Sequence, residues 1–139
     1  MGRDGRAENS FRFAECLAIL RMTGRRAADP QTLAKHISEV DEGVLFHHMH
    51  QYYLKEPIKA PEYSNDFARW AAESLEDRTL AEKLSGIDPY ALGSIADVRR
   101  GLLDTLETYG KEYPPPRPAL RGEEFFFNDA VTFVVPTAR

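Results

Sequence analysis

The chain has 139 residues, enough for one domain that buries its own core without disulfide or metal support. Hydrophobic residues make up 42% and charged residues 29%, a globular composition, and the net charge of −4 argues against a general basic surface for nucleic acid. The lone cysteine excludes an internal disulfide, and no apolar run approaches the ~20 residues that span a bilayer, so we expect a cytoplasmic protein without membrane or nucleic-acid partners.

The amino-terminal part of the chain predicts a leader followed by a strand. Residues 1–10 are polar, contain two glycines and are expected to be flexible. Over residues 12–22, apolar side chains alternate and then merge into a run with the length of a buried strand, although periodicity alone also fits a short buried helix. Residues 23–26 are expected to end this element. Cys16 lies inside the run and is interpreted as a small buried apolar residue rather than a nucleophile.

Two helices are predicted after the strand, joined by a very short connection. Asp29 is a good N-cap, and Pro30 suits the first helical position because its missing donor is not needed there. Asp41 is expected to cap a second helix that begins near Glu42. Apolar residues recur at helical spacing in both segments, which predicts a helical hairpin. The two apolar faces carry Leu33, His36, Ile37, Val40, Leu45, His48, Met49 and Tyr52.

Two more amphipathic helices are predicted in the middle of the chain. Residues 55–63 contain two prolines and are not expected to form regular helix. The helix that follows has two candidate N-caps, Ser64 and Asn65. Thr79 and Glu82 are three residues apart and predict a capping box before a further short helix.

The carboxyl-terminal part predicts a helix, a connector and a strand. The last helix is expected to begin at Ser94 and to stop at Gly110. Residues 111–124 contain three consecutive prolines and predict a stiff, extended connector. The apolar segment at residues 125–135 predicts a second strand. Because an exposed apolar strand invites aggregation, we expect it to lie beside the first strand, within one chain or exchanged between two.

The predicted fold class is α+β and predominantly α, a compact multi-helix domain with a small sheet formed by an amino-terminal and a carboxyl-terminal strand. We divide the chain into a flexible leader (1–10), a helical domain with an N-terminal strand (11–110), a proline-rich connector (111–124) and a terminal strand (125–139). The expected core comprises Leu33, Ile37, Leu45, Met49, Phe67, Trp70, Leu75, Val98, Leu102 and Leu106.

The terminal strand resembles the first strand when Phe125 is placed under Phe11 without a gap. Four of the fifteen aligned positions are identical, and most of the others match in character. The alignment ends with Arg139 under Arg25. We interpret this as an internal repeat whose second copy begins at the terminal strand. The alternative is that two aromatic-rich strands look alike by composition.

Four segments together carry a resemblance to a known family. They are FRFAECLAILRMTGRRA, FHHMHQYYLK, NDFARWAAESLEDR and SGIDPY. In this order, over most of residues 11–110, they resemble a bacterial family of uncharacterised proteins, domain of unknown function 5752. The later FFFNDAVTFVVP is similar to the start of a second module in longer members. The resemblance implies no activity and no catalytic residue.

The histidines are the candidate metal ligands. His47 and His50 are three residues apart, share a helix face and together suit a divalent metal. His36 and His48 lie on the apolar faces of the two hairpin helices and are placed to meet across them. The alternative is that His36 and His48 are core side chains satisfied by hydrogen bonds, while His47 and His50 are solvated or face a partner.

Two further clusters have candidate roles. Arg21, Arg25 and Arg26 surround a glycine turn that leads into a helix, a geometry that can bind an anion, and the alternative is a structural role in the turn. Asn65 and Asp66 precede an aromatic helix, where Asp66 is a candidate catalytic acid. Helix capping explains that pair better, because both residue types favour the start of a helix.

Two functional hypotheses follow from these observations. The leading one is a non-catalytic interaction or regulatory module with an unknown protein partner, because no catalytic motif is present and an apolar strand is left over at the end. It is expected to form a homodimer or to be covered by a second repeat. The alternative is a small metal-dependent enzyme that uses the histidine-rich helix. No other cofactor is expected.

Overall fold

The fold is known from a computed structural model, which describes residues 14–55 and 63–136. Within these ranges it has five helices and a two-stranded sheet, so the predicted α+β, mostly helical class is confirmed. The predicted leader and most of the proline segment before residue 63 lie outside the described residues. The elements are β1 (Ala14–Ala27), α1 (Pro30–Glu39), α2 (Glu42–Lys55), α3 (Asp66–Glu73), α4 (Arg78–Ser85), α5 (Ile95–Glu112) and β2 (Phe125–Pro136).

Polar side chains at the expected positions start three of the helices. Asp29 accepts a hydrogen bond from Thr32 N at 2.7 Å, with Pro30 as the first helical residue of α1. Asn65, rather than Ser64, caps α3. Ser94 caps α5. Each side chain pairs one of the amide groups that a helix start leaves without a partner.

Two predicted helix boundaries are wrong, the start of α4 and the end of α5. Asp77 caps α4 in place of the expected box at Thr79, because Glu76 takes a positive φ of 55° and turns the chain so that Asp77 reaches the capping position. The helix α5 passes through Gly110 and ends at Glu112. Its last turn is held by the stacking of Tyr109 on Tyr113, with ring centroids 5.1 Å apart.

The two strands pair antiparallel and form one long ribbon. The ladder runs from Ala14 opposite Pro136 to Met22 opposite Asn128, and it resumes at Arg26 opposite Phe126. The strand therefore does not end at residues 23–26 as expected but contains a bulge there. Gly24, with a φ of 87°, adopts the backbone conformation that this bulge requires.

The helices lie on one face of the ribbon, which we call the inner face, and cover part of it. Phe125 and Phe127 project from β2 into the helices and are buried, whereas Phe126 between them is 37% exposed. This alternation is that of a strand with one covered face. All ten residues predicted to form the core are buried. In the described part of the chain, no helix has both the length and the apolar character needed to cross a membrane.

Trp70 fixes the chain immediately before β2. Its ring is 7% exposed and meets Phe125 edge to face at 5.9 Å. Its Nε1 donates a hydrogen bond to the carbonyl oxygen of Glu123 at 2.8 Å. One side chain of α3 thus both packs against β2 and satisfies a backbone carbonyl where the connector ends.

Replacing Trp70 by alanine is expected to lower the free energy of unfolding by about 3–5 kcal/mol, because a large aromatic leaves a cavity that its neighbours cannot fill. Trp70→Phe is the matched control. It keeps most of the buried ring, loses the bond to Glu123, and is expected to cost less. Denaturant unfolding of the two variants measures both values. A Trp70→Ala protein as stable as the wild type would contradict the burial of this side chain.

Candidate functional site

His48 is the best-defined polar residue of the core. Its side chain is 3% exposed, and its Nε2 atom accepts a hydrogen bond from the backbone N–H of Asn128 at 2.9 Å. Because Nε2 is an acceptor, the ring proton lies on Nδ1, which donates to Oδ2 of Asp66 at 3.0 Å. Both ring nitrogens are therefore engaged, one with β2 and the other with α3.

The carboxylate of Asp66 connects this histidine to a surface arginine. Asp66 lies in the first turn of α3, is 6% exposed on its side chain, and accepts a second bond from Arg69 at 2.9 Å. The helix start favours a negative charge at this position. We call His48, Asp66 and the Asn128 amide the buried triad.

Aromatic rings surround the buried triad. The rings of Phe67, Phe125 and Phe127 lie with their centroids 5.6, 4.7 and 6.1 Å from that of His48. Hydrogen bonds inside such an apolar surrounding are stronger than in water, and an unpaired polar group there is costly. The triad therefore holds α2, α3 and β2 in one arrangement.

The rings of His36 and His48 both pack against Phe127, and they do not form the direct His36–His48 pair that the sequence predicted across the hairpin. The ring of His36 lies 5.5 Å from that of Phe127, which also packs against His48. Nδ1 of His36 accepts a bond from Arg25 at 3.0 Å, since a guanidinium only donates. Among the residues that the structure describes, no three His, Cys, Asp or Glu side chains come together as a metal-binding group.

The other two histidines have different surroundings. His47 is half-buried, and its ring meets that of His48 edge to face at 4.9 Å. His50 is only 9% exposed, because its ring stacks on Phe46 at 4.2 Å and meets Tyr90 at 5.3 Å. The alternative that His50 is solvated is therefore wrong. Its Nδ1 donates to the carbonyl oxygen of Phe46 at 2.9 Å, which places the lone pair on Nε2.

Two of the three candidate anion-binding arginines form ion pairs. Arg21 bonds Asp129 across the ribbon at 2.8 Å. Arg25 bonds Glu39 at 2.7 Å, and this hydrogen bond lowers the pKa of that carboxyl group. Arg26 is exposed. An anion at this end of β1 would have to compete with both carboxylates.

Asn65 and Asp66 have separate structural contacts. The carbonyl oxygen of the Asn65 side chain accepts from Ala68 N at 2.8 Å, and its amide donates to Leu84 O at 3.1 Å. Asn65 is thus the buried cap of α3, which agrees with the capping interpretation. The carboxylate of Asp66, the candidate acid, accepts hydrogen bonds from His48 and Arg69. Cys16 lies in β1 as expected, and its side chain is outside the described residues.

The face of the ribbon opposite the helices, which we call the outer face, exposes large apolar side chains. Leu20 is 56% exposed, Met22 70% and Phe126 37%. They share this face because Leu20 and Met22 lie opposite Ala130 and Asn128, which alternate with the inward Phe127. The sequence pattern predicted the two strands, but it did not identify these three residues as exposed.

A groove of about 820 Å³ lies between the start of α1, the second half of α5 and the proline segment. Its walls include Pro30, Leu103, Leu106, Tyr109 and Pro116. The sequence alone does not reveal this groove, because the position of the prolines against α5 is set by tertiary packing. Burial and the bond to Asp77 raise the pKa of the Tyr109 hydroxyl, which is therefore committed to α4 rather than to the groove.

A family model matches residues 8–139, nearly the whole chain. The chain belongs to the family of unknown function DUF5752. The family description states no activity, so membership assigns no role to the buried triad or to the outer face. No curated protein matches this DUF5752 chain.

A solved structure shares the fold of this DUF5752 chain. OrfY from Thermoproteus tenax is similar to it with a TM-score of 0.72 and 36% sequence identity. The match covers 89% of this chain and 55% of the OrfY chain. This chain therefore spans about half the length of OrfY, whose name states no function.

Replacing His48 by alanine is expected to lower the free energy of unfolding by about 3–5 kcal/mol, since it removes a buried ring, takes one of its partners from the Asp66 carboxylate and leaves the Asn128 amide without its acceptor. His48→Gln, which keeps one acceptor and one donor, is expected to lose less. His47→Ala is the control on the neighbouring, less buried ring. Hydrogen exchange of the Asn128 amide gives a local readout. If that amide stays as protected in His48→Ala as in the wild type, the triad does not hold β2.

Proposed function

We propose that this protein is a non-catalytic interaction module that binds another protein through the outer face of its ribbon. The observation that carries this proposal is the exposure of Leu20, Met22 and Phe126 on one sheet face. Exposed apolar groups that form one patch are typical of surfaces that bind a partner. Single exposed apolar residues would need no such explanation.

The use of the polar residues supports a role without chemistry. His48 has both ring nitrogens in hydrogen bonds, and Asp66 binds His48 and Arg69. A general base needs a nitrogen or oxygen that faces its substrate, and a metal ligand needs one that faces the metal ion. These groups instead link α2 and α3 to β2, which is a structural role.

The partner that we propose is a second copy of the chain, which makes the protein a homodimer. Two outer faces can stack about a twofold axis, so that the same patch is buried on both copies. The ribbons would then form the middle of a four-layer assembly with the helices outside. A cytoplasmic, regulatory role for such a dimer remains the prediction from the sequence.

Light scattering after size exclusion tests this self-association. The wild-type chain is expected to be a dimer, and the double variant Leu20→Lys with Met22→Lys is expected to be a monomer, because two charges per copy would have to be buried. Leu120→Lys is the matched control, since Leu120 is 58% exposed but lies outside the ribbon. A wild-type chain that is monomeric at all concentrations, or a double variant that still dimerises, would disprove self-association through this face.

The alternative of a metal-dependent enzyme has one observation in its favour. The Nδ1 atom of His50 donates to a backbone carbonyl, and metal-bound histidines usually hold their second nitrogen in this way. His47 is on the same helix, three residues earlier.

Metal analysis of protein purified without a histidine tag separates the two functions. A non-catalytic module is expected to contain no stoichiometric metal. Zinc, iron or manganese bound at one per chain, and lost in His47→Ala or His50→Ala, would overturn the interaction module in favour of the enzyme. A metal-free protein with unchanged folding would exclude the enzyme.

A further inference from the structure

The register of the ribbon coincides with the internal repeat of the sequence. The repeat aligns Ala18 with Thr132, and the ladder places the same two residues opposite each other. An antiparallel strand pair has a local twofold axis perpendicular to the sheet. This axis therefore passes between two residues that occupy equivalent positions in the repeat.

The other described pairs of the unbroken ladder obey the same symmetry. They include Ala14 opposite Pro136 and Met22 opposite Asn128. In the repeat, Ala14 aligns with Asn128 and Met22 with Pro136. Likeness of two strands by composition alone does not require any particular register, so the agreement supports a true repeat.

The helices at residues 28–113, which we call the first lobe, cover only one end of the inner face. Phe125 and Phe127 enter this lobe from the beginning of β2. Asp129 marks its edge, because a Cβ on Gly43 in the first turn of α2 would lie 3.5 Å from the Asp129 carboxylate. Beyond that point the inner face extends past the helices.

Ile19 shows that this extension is uncovered. It lies opposite Val131, two residues beyond Asp129 on β2, and so belongs to the inner face. It is nevertheless 51% exposed. Its neighbour Leu20 belongs to the outer face, so substitutions at these two adjacent residues affect two different surfaces.

We propose that the uncovered end of the inner face binds a second helical lobe, with the fold of the first lobe, joined to the carboxyl end of β2 in the same polypeptide. Rotation about the twofold axis places a copy of the first lobe on the uncovered end of the ribbon, and on the same inner face. In the sequence alignment of the repeat, Phe11 and Phe13 correspond to Phe125 and Phe127. The length of OrfY agrees with this, because nearly half of it lies outside the match.

This second lobe is independent of the partner proposed for the outer face. In the two-lobed molecule both lobes lie side by side on the inner face and share the ribbon, while Leu20, Met22 and Phe126 stay on the opposite side. Failure of one proposal therefore leaves the other in place.

An extended protein tests the proposal. It consists of the full chain followed directly by a second copy of residues 26–113, since Arg139 aligns with Arg25. Hydrogen exchange of the amides of residues 14–20 is expected to slow at least about tenfold relative to the 139-residue chain. Ile19→Lys is expected to abolish this protection, whereas the control variant Leu120→Lys, on an exposed side chain outside the ribbon, is expected to keep it.

Three results would overturn the proposal. In the first, the added copy folds but residues 14–20 exchange as fast as before, or the two lysine variants behave alike. In the second, the added copy stays unfolded by circular dichroism, although docking on the ribbon is what should stabilise it. In the third, Ile19→Lys but not Leu20→Lys dissociates a dimer of the 139-residue chain, which would make a second copy the occupant of the inner face.

Discussion

The pairing of the first strand with the last is the constraint on which the rest of the structure depends. It places Phe125 and Phe127 between α2 and α3, where both are buried against the ring of His48. Without β2, this side of the helical core would lose two large aromatic rings and would face water. A contact between the two ends of the chain therefore completes a core that the helices alone leave open.

The same strand decides what the polar residues of α2 and α3 can do. The backbone amide of Asn128 binds one nitrogen of His48, and Asp66 binds the other. A histidine and an aspartate at this distance resemble a catalytic pair, but the second nitrogen is occupied by the fold itself. The arrangement thus stabilises the attachment of β2 to the helices.

The two faces of the ribbon differ in what covers them. Its inner face is covered by the first lobe as far as Asp129, and its outer face carries no helix of the described chain. Ile19 and Leu20, adjacent in sequence, expose apolar side chains on opposite faces. A two-stranded ribbon is marginal in water by itself, so apolar groups on both faces favour further protein on each. The proposed self-association and second lobe account for one face each.

The sequence by itself determined the elements, because caps, proline positions and apolar periodicity act locally. Asp29, Asn65 and Ser94 start helices as expected, and all ten predicted core residues are buried. Local patterns failed where a long-range contact overrides them. β1 continues through Gly24 because the hydroxyl of Thr23 bonds the carbonyl oxygen of Phe127 across the bulge. The hydrogen-bond partners of His48 and the burial of His50 were likewise decided only by tertiary structure. They depend on which residues of β2 and of the segment near Tyr90 approach α2, and no spacing along the chain encodes that approach.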